Sequence, residues 1–503
     1  MTALKPKDVP AQTAVAKADR YPVRALSVLT ATVLLVSYVE TMVLPGIPII
    51  EKDLSANVTM GSWITAIVLL VGAVVSPIFG KLGDLYGKKK IIIVTLVFYT
   101  VGVSIAGFST NIYFLVFARA IQGVGLAMVP LALALLTDIF PKDKLATAQG
   151  AIAGSAAIST ALGLVLGAYV IQDLGWQYAF HTAALLSVIL FGVVIAVLRR
   201  DVSSIKCKID YVGAFLLSIG VALILLYTTE GSALGWFSAT ELAILLPGLA
   251  LTVSFFYFET KAAEPLIQLN LLKIKNVLVA NLVTIIAGLA NFLLFFSVIE
   301  YLELPKPYGL GFDIIGTGLT LVPGTVVVFL VGIAAGRSVP KIGPKPILIT
   351  GSAVSILSYI LFIINRGTPT DITINTMVAF SGVVALMVPV VNMISMSLPK
   401  ESVTVGQGLN ATLKQIGSAV GPVLTTTILA TFTDPIVETL GGKSVVVASM
   451  PSAAAFNIVF AIGIALSIVT IAISLAITNG TFKKSSNNDF LIQNDGGEKR
   501  NGA

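Results

Sequence analysis

Apolar residues run along this chain in long stretches separated by short polar segments. A helix crossing a hydrocarbon core of ~30 Å needs ~20 apolar residues, each rising ~1.5 Å. The pattern supplies fourteen such stretches, near 26–48, 59–79, 91–109, 112–136, 146–171, 178–198, 211–229, 240–258, 276–300, 314–336, 346–364, 374–397, 404–431 and 452–478. They lack strand-period alternation, which leaves helices as the spanning elements. The first stretch carries Glu40, is too long for a signal-peptide core and has no small-residue cleavage site behind it. It is expected to stay in the mature chain. Glu230 and Gly231 are expected to mark a short hairpin between the seventh and eighth stretches. The predicted fold is an all-α integral membrane protein with 14 transmembrane helices.

Composition agrees. Of 503 residues, 56% are hydrophobic and 11% charged, against about 25% charged in soluble domains. A soluble enzyme and a disordered chain are excluded. One Cys (Cys207) excludes a disulfide scaffold, and one His (His181) excludes a His-rich metal site. An even number of spans places both termini on one side. Of the 32 basic residues, 26 fall in the tails and one set of loops. The opposite loops hold Lys52, Lys306, Arg366 and Lys443, while Arg119 and Lys414 lie inside spans. The basic side is then cytoplasmic, and the plasma membrane is the expected location. This accounts for the +7 net charge without nucleic acid, and assigns the basic tail residues (Lys5, Lys7, Lys17, Arg20, Arg24, Lys483, Lys484) to orientation and lipid headgroups.

Two loops repeat. Gly80-Lys-Leu-Gly-Asp84-Leu-Tyr-Gly87-Lys88-Lys89 matches Gly336-Arg-Ser-Val-Pro340-Lys-Ile-Gly343-Pro-Lys345 at an offset of 256. Gln149-Gly150, followed by Ser159, Gly163 and Leu164, matches Gln407-Gly408, followed by Gly417, Gly421 and Pro422, at an offset of 258. Two agreeing offsets argue for a duplicated six-span unit with a central site. The expected organisation is a tail (1–24), a six-helix bundle (25–200), a linker with an inserted two-helix hairpin (201–265), a second six-helix bundle (266–478) and a tail (479–503).

The Gly80–Lys89 loop resembles the signature loop between spans two and three of the major facilitator superfamily. Leu115-x3-Arg119-x2-Gln122-Gly123-x-Gly125 resembles that superfamily's fourth-span motif. Asp210-Tyr-Val-Gly213, Gly235-Trp236 and Glu264-Pro-Leu-Ile-Gln-Leu269 are similar to its fourteen-span drug/proton antiporter branch. The resemblance implies an acidic residue for proton exchange in the first span, an Arg in the fourth span linked to proton movement, a gating loop, and Gly- and Pro-marked fifth and thirteenth spans. Span five keeps Gly150, Gly163 and Gly167 but has Ser159 and Leu164 where that antiporter signature has Gly and Pro. Span thirteen keeps Gly408, Gly417, Gly421 and Pro422.

Glu40 is the sharpest candidate, because a mid-span carboxylate costs ~2.5–3.5 kcal/mol on insertion scales and should face a cavity or a partner. Ser37, Glu40, Thr41 and Leu44 share a helical face. The carboxylate is either a proton carrier or half of a structural ion pair. Arg119 is its expected partner, a permanent cation that could alternatively serve only to hydrogen-bond helices through Gln122. Gly80, Asp84, Gly87 and Lys88 are read as the gating loop, with Asp84 near a helix N-terminus. Gly150, Gly163, Gly167, Gly417, Gly421 and Pro422 are read as close-packing positions, of antiporter type or plain helix packing. Lys414 lies in a polar stripe with Gln407, Asn410, Gln415 and Ser418; Asn281, Thr284, Gly288 and Asn291 form another. Ser37, Thr41, Gln122, Asn281, Asn291, Asn410 and Lys414 are the expected substrate-cavity residues. Met128, Phe292, Phe295, Phe296, Met387 and Met396 supply an apolar wall, or else face lipid. Gly442-Lys443-Ser444 imitates a P-loop ending, but Val437 occupies the first glycine's place.

These features predict a proton-coupled exporter of lipophilic, cationic small molecules that works as a monomer among membrane lipids, with no cofactor, metal or enzymatic chemistry. Two other readings stay open: a transporter of an anionic metabolite or lipid, and a non-transporting sensor on the same fold.

Overall fold

A computed structural model describes residues 21–199, 210–262, 265, 269–398, 403–440 and 443–477. The expected basic tails (apart from Arg24), residues 200–209 with Cys207, most of the Glu264–Leu269 motif and Gly442 lie outside the described residues.

The first apolar stretch forms α1 (Tyr21–Met42), a 3-10 turn (Leu44–Gly46) and α2 (Ile47–Asp53). Then follow α3 (Val58–Tyr86), α4 (Lys88–Ala106), α5 (Ile112–Gly123), a 3-10 turn (Val124–Ala127) and α6 (Met128–Ile139). The fifth stretch is α7 (Lys142–Leu162), a π-helical turn (Gly163–Gly167) and α8 (Ala168–Leu174), followed by α9 (Trp176–Val197). α10 (Tyr211–Leu234) and α11 (Ala239–Glu259) pack against each other. The remaining helices are α12 (Lys275–Glu303), α13 (Ile314–Ile342), α14 (Pro344–Ile364), α15 (Pro369–Ser397), α16 (Val403–Thr431) and α17 (Ala453–Leu475). Polar caps mark several helix starts: Asn57 accepts from Met60 N, Asn111 from Phe114 N and Asp313 from Gly316 N. Thr368 and Asp371 form a capping box.

Among the described residues, twelve helices are long and apolar enough to cross a membrane. The chain is a multi-pass membrane protein. Two of the fourteen expected stretches fall short. Within α7–α8 the apolar part is the shorter segment Ile158–Leu174, and α16 carries the Gln407–Lys414–Gln415 stripe. Both helices are sheltered at seams between the two halves of the chain, where lipid does not demand an apolar surface.

Helices up to α9 pack among themselves, and so do α12–α17. The two groups meet where α3 lies on α16 and where α7, the π turn and α8 lie on α13. The second span of each half therefore meets the fifth of the other, as a pseudo-two-fold arrangement requires. The repeat is visible in the backbone as well. Gly87 (φ 94°) and Gly343 (φ 83°) each end one helix and start the next at equivalent places. Both occupy a region open to glycine and strained for other residues.

Two expectations are corrected. Helix α10 runs through Glu230 and Gly231, and its turn to α11 lies at Gly235 (φ 86°), where Trp236 packs edge-on to Tyr227 at 5.6 Å. Gly80 sits within α3 facing open space, so Gly87 alone makes the loop turn, and Asp84 lies in the last turn of α3, just before the start of α4. The fold is all-α but for one short connection. β1 (Thr433–Leu440) and β2 (Lys443–Pro451) form an antiparallel hairpin between α16 and α17, rich in β-branched residues, and Lys443 lies in that ladder.

Candidate functional site: a mainly apolar cavity between the two halves

A cavity of about 330 Å³ lies between the halves, with Thr160, Asn291, Phe295, Thr325, Met387 and Lys414 in its wall. Phe295 stacks on Phe380 at 5.2 Å, giving it one flat aromatic side. The end away from Gly87 is shut. There Gln172 on α8 donates to Asp313 at 2.9 Å and accepts from Ile315 N at 3.2 Å. Leu44 and Ile47 face Phe296 and Ile299 around a void too small to admit water.

Asp313 is the charged group at this closure. The Gly316 N–H and the Gln172 amide hold its carboxyl below the ordinary carboxylate range. Arg366, in the α14–α15 loop at the same end, is drawn below the usual guanidinium value by burial. It lies over the Tyr301 ring at 5.3 Å.

Glu40 is half-buried on α1. Two cations act on it, Lys414 from the other half more strongly than Arg119 from its own. Lys414 is exposed into the cavity. Arg119 is fully buried. Its Nε donates to Ile64 O at 2.9 Å and its Nη1 to Gln122 Oε1 at 2.8 Å. Its Nη2 is buried without a hydrogen-bond partner, and the guanidinium lies 5.9 Å from the Phe180 ring. Arg119 is thus anchored to α3 and to its own helix, with one donor in reserve, and is not hydrogen-bonded to Glu40. Its approach to α4 depends on Gly102, where a Cβ would meet the Gln122 backbone. Tyr99, buried and bonded to Leu35 O at 3.3 Å, lies within electrostatic reach of both Arg119 and Glu40.

The other expected cavity residues separate. Asn291 and Lys414 line the cavity. Asn410 instead donates to Asn281 at 3.1 Å and to Thr284 at 2.8 Å, stitching α16 to α12. Gln122 is occupied by Arg119. Thr41 bonds Ser37 O and Tyr38 O, at 3.1 and 3.2 Å, and lies against α7. A stripe of polar residues shows that lipid is avoided, but not whether water or another helix takes its place. Of the proposed apolar wall, Phe295 and Met387 line the cavity, Phe296 borders the sealed void and Met128 is buried in the core.

The small residues also separate. Gly163 leaves no room for a Cβ beside Thr41 Oγ1, and Gly167 none beside Met42. Gly417 abuts Ile285 O and Gly421 lies against Leu293 N, so α12 and α16 run in backbone contact. Pro422 lies within α16, and Thr426 Oγ1 donates to its carbonyl at 3.0 Å. Gly150 and Gly408 face open space and take no part in packing. In the signature loop Lys88 pairs with Asp138 on α6 and donates to Ala134 O. Lys89 donates to Leu198 O, tying the loop to the end of α9.

Sequence reasoning missed a group of acids at the shut end. Glu51 on α2 and Glu300 on α12 are buried, and both act electrostatically with Glu303. Glu300 and Glu303 are spaced i, i+3 near an apolar helix end, which was the available signal.

Comparison with known proteins agrees with this architecture. The multidrug efflux pump LfrA of Mycolicibacterium smegmatis is 26% identical over 466 residues, covering 87% of this chain and 90% of its own length. The multidrug transporter protein MdtP of Bacillus subtilis is 25% identical over 385 residues, covering 76% of this chain and 70% of its own length. An auto-inhibited POT-family peptide transporter superposes with a TM-score of 0.62 at 14% identity, over 90% of this chain and 97% of its own. The nucleoside transporter NupG does so with a TM-score of 0.62 at 10% identity, over 91% of this chain and the whole of its own. These two likenesses concern the fold. The Major Facilitator Superfamily model matches residues 29–422. This chain, a transporter and not an enzyme, belongs to the Major Facilitator Superfamily.

Proposed function

We propose that the protein is a proton-coupled exporter of lipophilic cations in the plasma membrane. It has fourteen spans, with two six-helix bundles of 25–200 and 266–478, an inserted hairpin and both termini cytoplasmic. The carrying observation is that Lys414 lines the cavity and acts electrostatically on Glu40 of the other half, as does Arg119. When Glu40 is ionised it neutralises Lys414, and a cationic substrate can share the cavity. When Glu40 takes a proton, Lys414 is uncompensated and repels the cation. Binding of proton and substrate is then mutually exclusive, the thermodynamic requirement of an exchanger. Arg119 cannot lose its proton and acts as a fixed bias. The tie of Lys88 to Asp138 holds the Asp84 loop onto α6 within its own half, and the loop acts as the gate at that end. Relatives named as a multidrug transporter and a multidrug efflux pump support export of drug-like molecules.

Lys414 in the wall favours one other reading, an anionic substrate drawn to that cation. Proteoliposomes under an imposed pH gradient discriminate. Accumulation of a lipophilic cation against its gradient supports the exporter, whereas transport of organic anions alone supports the other reading.

A further inference from the structure

We propose that Glu51, Glu300 and Glu303 form a second proton-binding site that locks the end of the transporter away from Gly87. The proposal deepens the exchanger reading and rests on it for the identity of the outside.

The three carboxyl groups come from both halves, Glu51 from α2 and the other two from α12. Glu51 is 6% exposed and Glu300 is 5% exposed. Glu51 Oε1 is buried here with no hydrogen-bond partner. Thr317 on α13 is fully buried and pairs with Glu303. An orphaned carboxylate oxygen is costly in a dry interior unless a proton is shared there. Glu51 also fits against Gly61 on α3, where a Cβ would collide with its carboxylate. The neighbouring void bordered by Leu44, Ile47, Phe296, Ile299 and Glu300 is too small for water, which disfavours a hydrated cation and suits a proton.

Other charges at this end are committed elsewhere. Asp313 caps α13 and receives Gln172. Asp53 accepts from Trp176 Nε1 at 3.1 Å. Arg366 is engaged by Asn457 and by carbonyls of Phe362 and Ala453. Lys52 and Lys306 are exposed. The charges that act on Glu51 and Glu303 are all acidic. Ionised together, the carboxylates would repel across the seam without a counter-charge. Protonated, they can donate to one another and to Thr317, and the seam shuts. Proton uptake from outside would thus favour closure, and proton loss would favour opening.

The test needs no substrate. Ile47→Cys is placed in a Cys207→Ser background, and labelling by a membrane-impermeant maleimide is followed against external pH. The same thiol in an E51Q/E300Q/E303Q variant provides the intrinsic pH dependence of the thiol. The expected result is at least a tenfold steeper rise in labelling with pH for the native carboxylates than for the Gln variant. A Glu51→Asp variant, which keeps the acid, should retain the rise and guards against misfolding. Identical pH profiles in native and Gln proteins would overturn the proposal. So would a profile that follows sodium instead of pH. Failure of cation transport with this profile intact would reject the exporter reading alone.

Discussion

In the proposed exchanger, Glu40 and its two cations carry the chemistry, and each makes a separate demand. Glu40→Gln mimics the permanently protonated state, so coupled efflux should fall to the passive leak while expression and monodispersity are kept. Arg119→Ala should leave Ile64 O and the Gln122 amide without their donor inside the bundle. About 1–3 kcal/mol for each unsatisfied buried group is the expected order of the loss, read as a lower unfolding midpoint in detergent. Lys414→Arg should retain coupled efflux and Lys414→Gln should lose most of it, because the charge and not the hydrogen-bond geometry faces the cavity. Glu40, Arg119 and Lys414 were legible as intramembrane charges, since lipid makes any such residue conspicuous. The tie of Arg119 to Ile64 O was not legible, because a backbone carbonyl leaves no trace in a residue pattern.

Helices were legible where lipid dictates their length, and less so where they meet one another. α16 shows both sides. Its polar stripe was readable, yet Asn410 turned out to face Asn281 and Thr284 while Lys414, one turn on, faces the cavity. Its glycines make a sharp prediction. Gly417→Ala drives a methyl into Ile285 O, backbone that cannot swing aside, at a cost of about 1–3 kcal/mol. Gly408→Ala and Gly150→Ala face open space and should be neutral or slightly stabilising, by up to ~1 kcal/mol, from helix propensity. Thermal unfolding of the three variants would check the contrast. The β-hairpin of 433–451 was missed because span-length windows do not register a short extended connection.

On the scale of the molecule, the paired loops at Gly87 and Gly343 and the reciprocal seams α3–α16 and α8–α13 have the symmetry that a duplication would give. Closure of the end away from Gly87 depends on Asp313. Its carboxyl is held below the ordinary range, so its contribution is present above the unfolded carboxyl value. It is lost only as pH falls through the lower folded value. The difference in unfolding midpoint between native protein and Asp313→Ala should therefore be constant from neutral pH down to about 4 and shrink below it. Closure by Glu51, Glu300 and Glu303 runs in the opposite sense, strengthened by acid. The matching turns at Gly87 and Gly343 were readable from one offset in the sequence. The acidic seam was not, because counting charges by loop separates Glu51 from Glu300 and Glu303, which only the fold brings together.

Proton exchange at Glu40 is the central claim, and proton release in liposomes tests it most directly. Native protein and Glu40→Gln would be reconstituted with a trapped pH dye and challenged with a lipophilic cation. The account predicts substrate-triggered proton movement opposite to the cation in the native protein, and none above leak in the variant. Equal proton movement in both would contradict it.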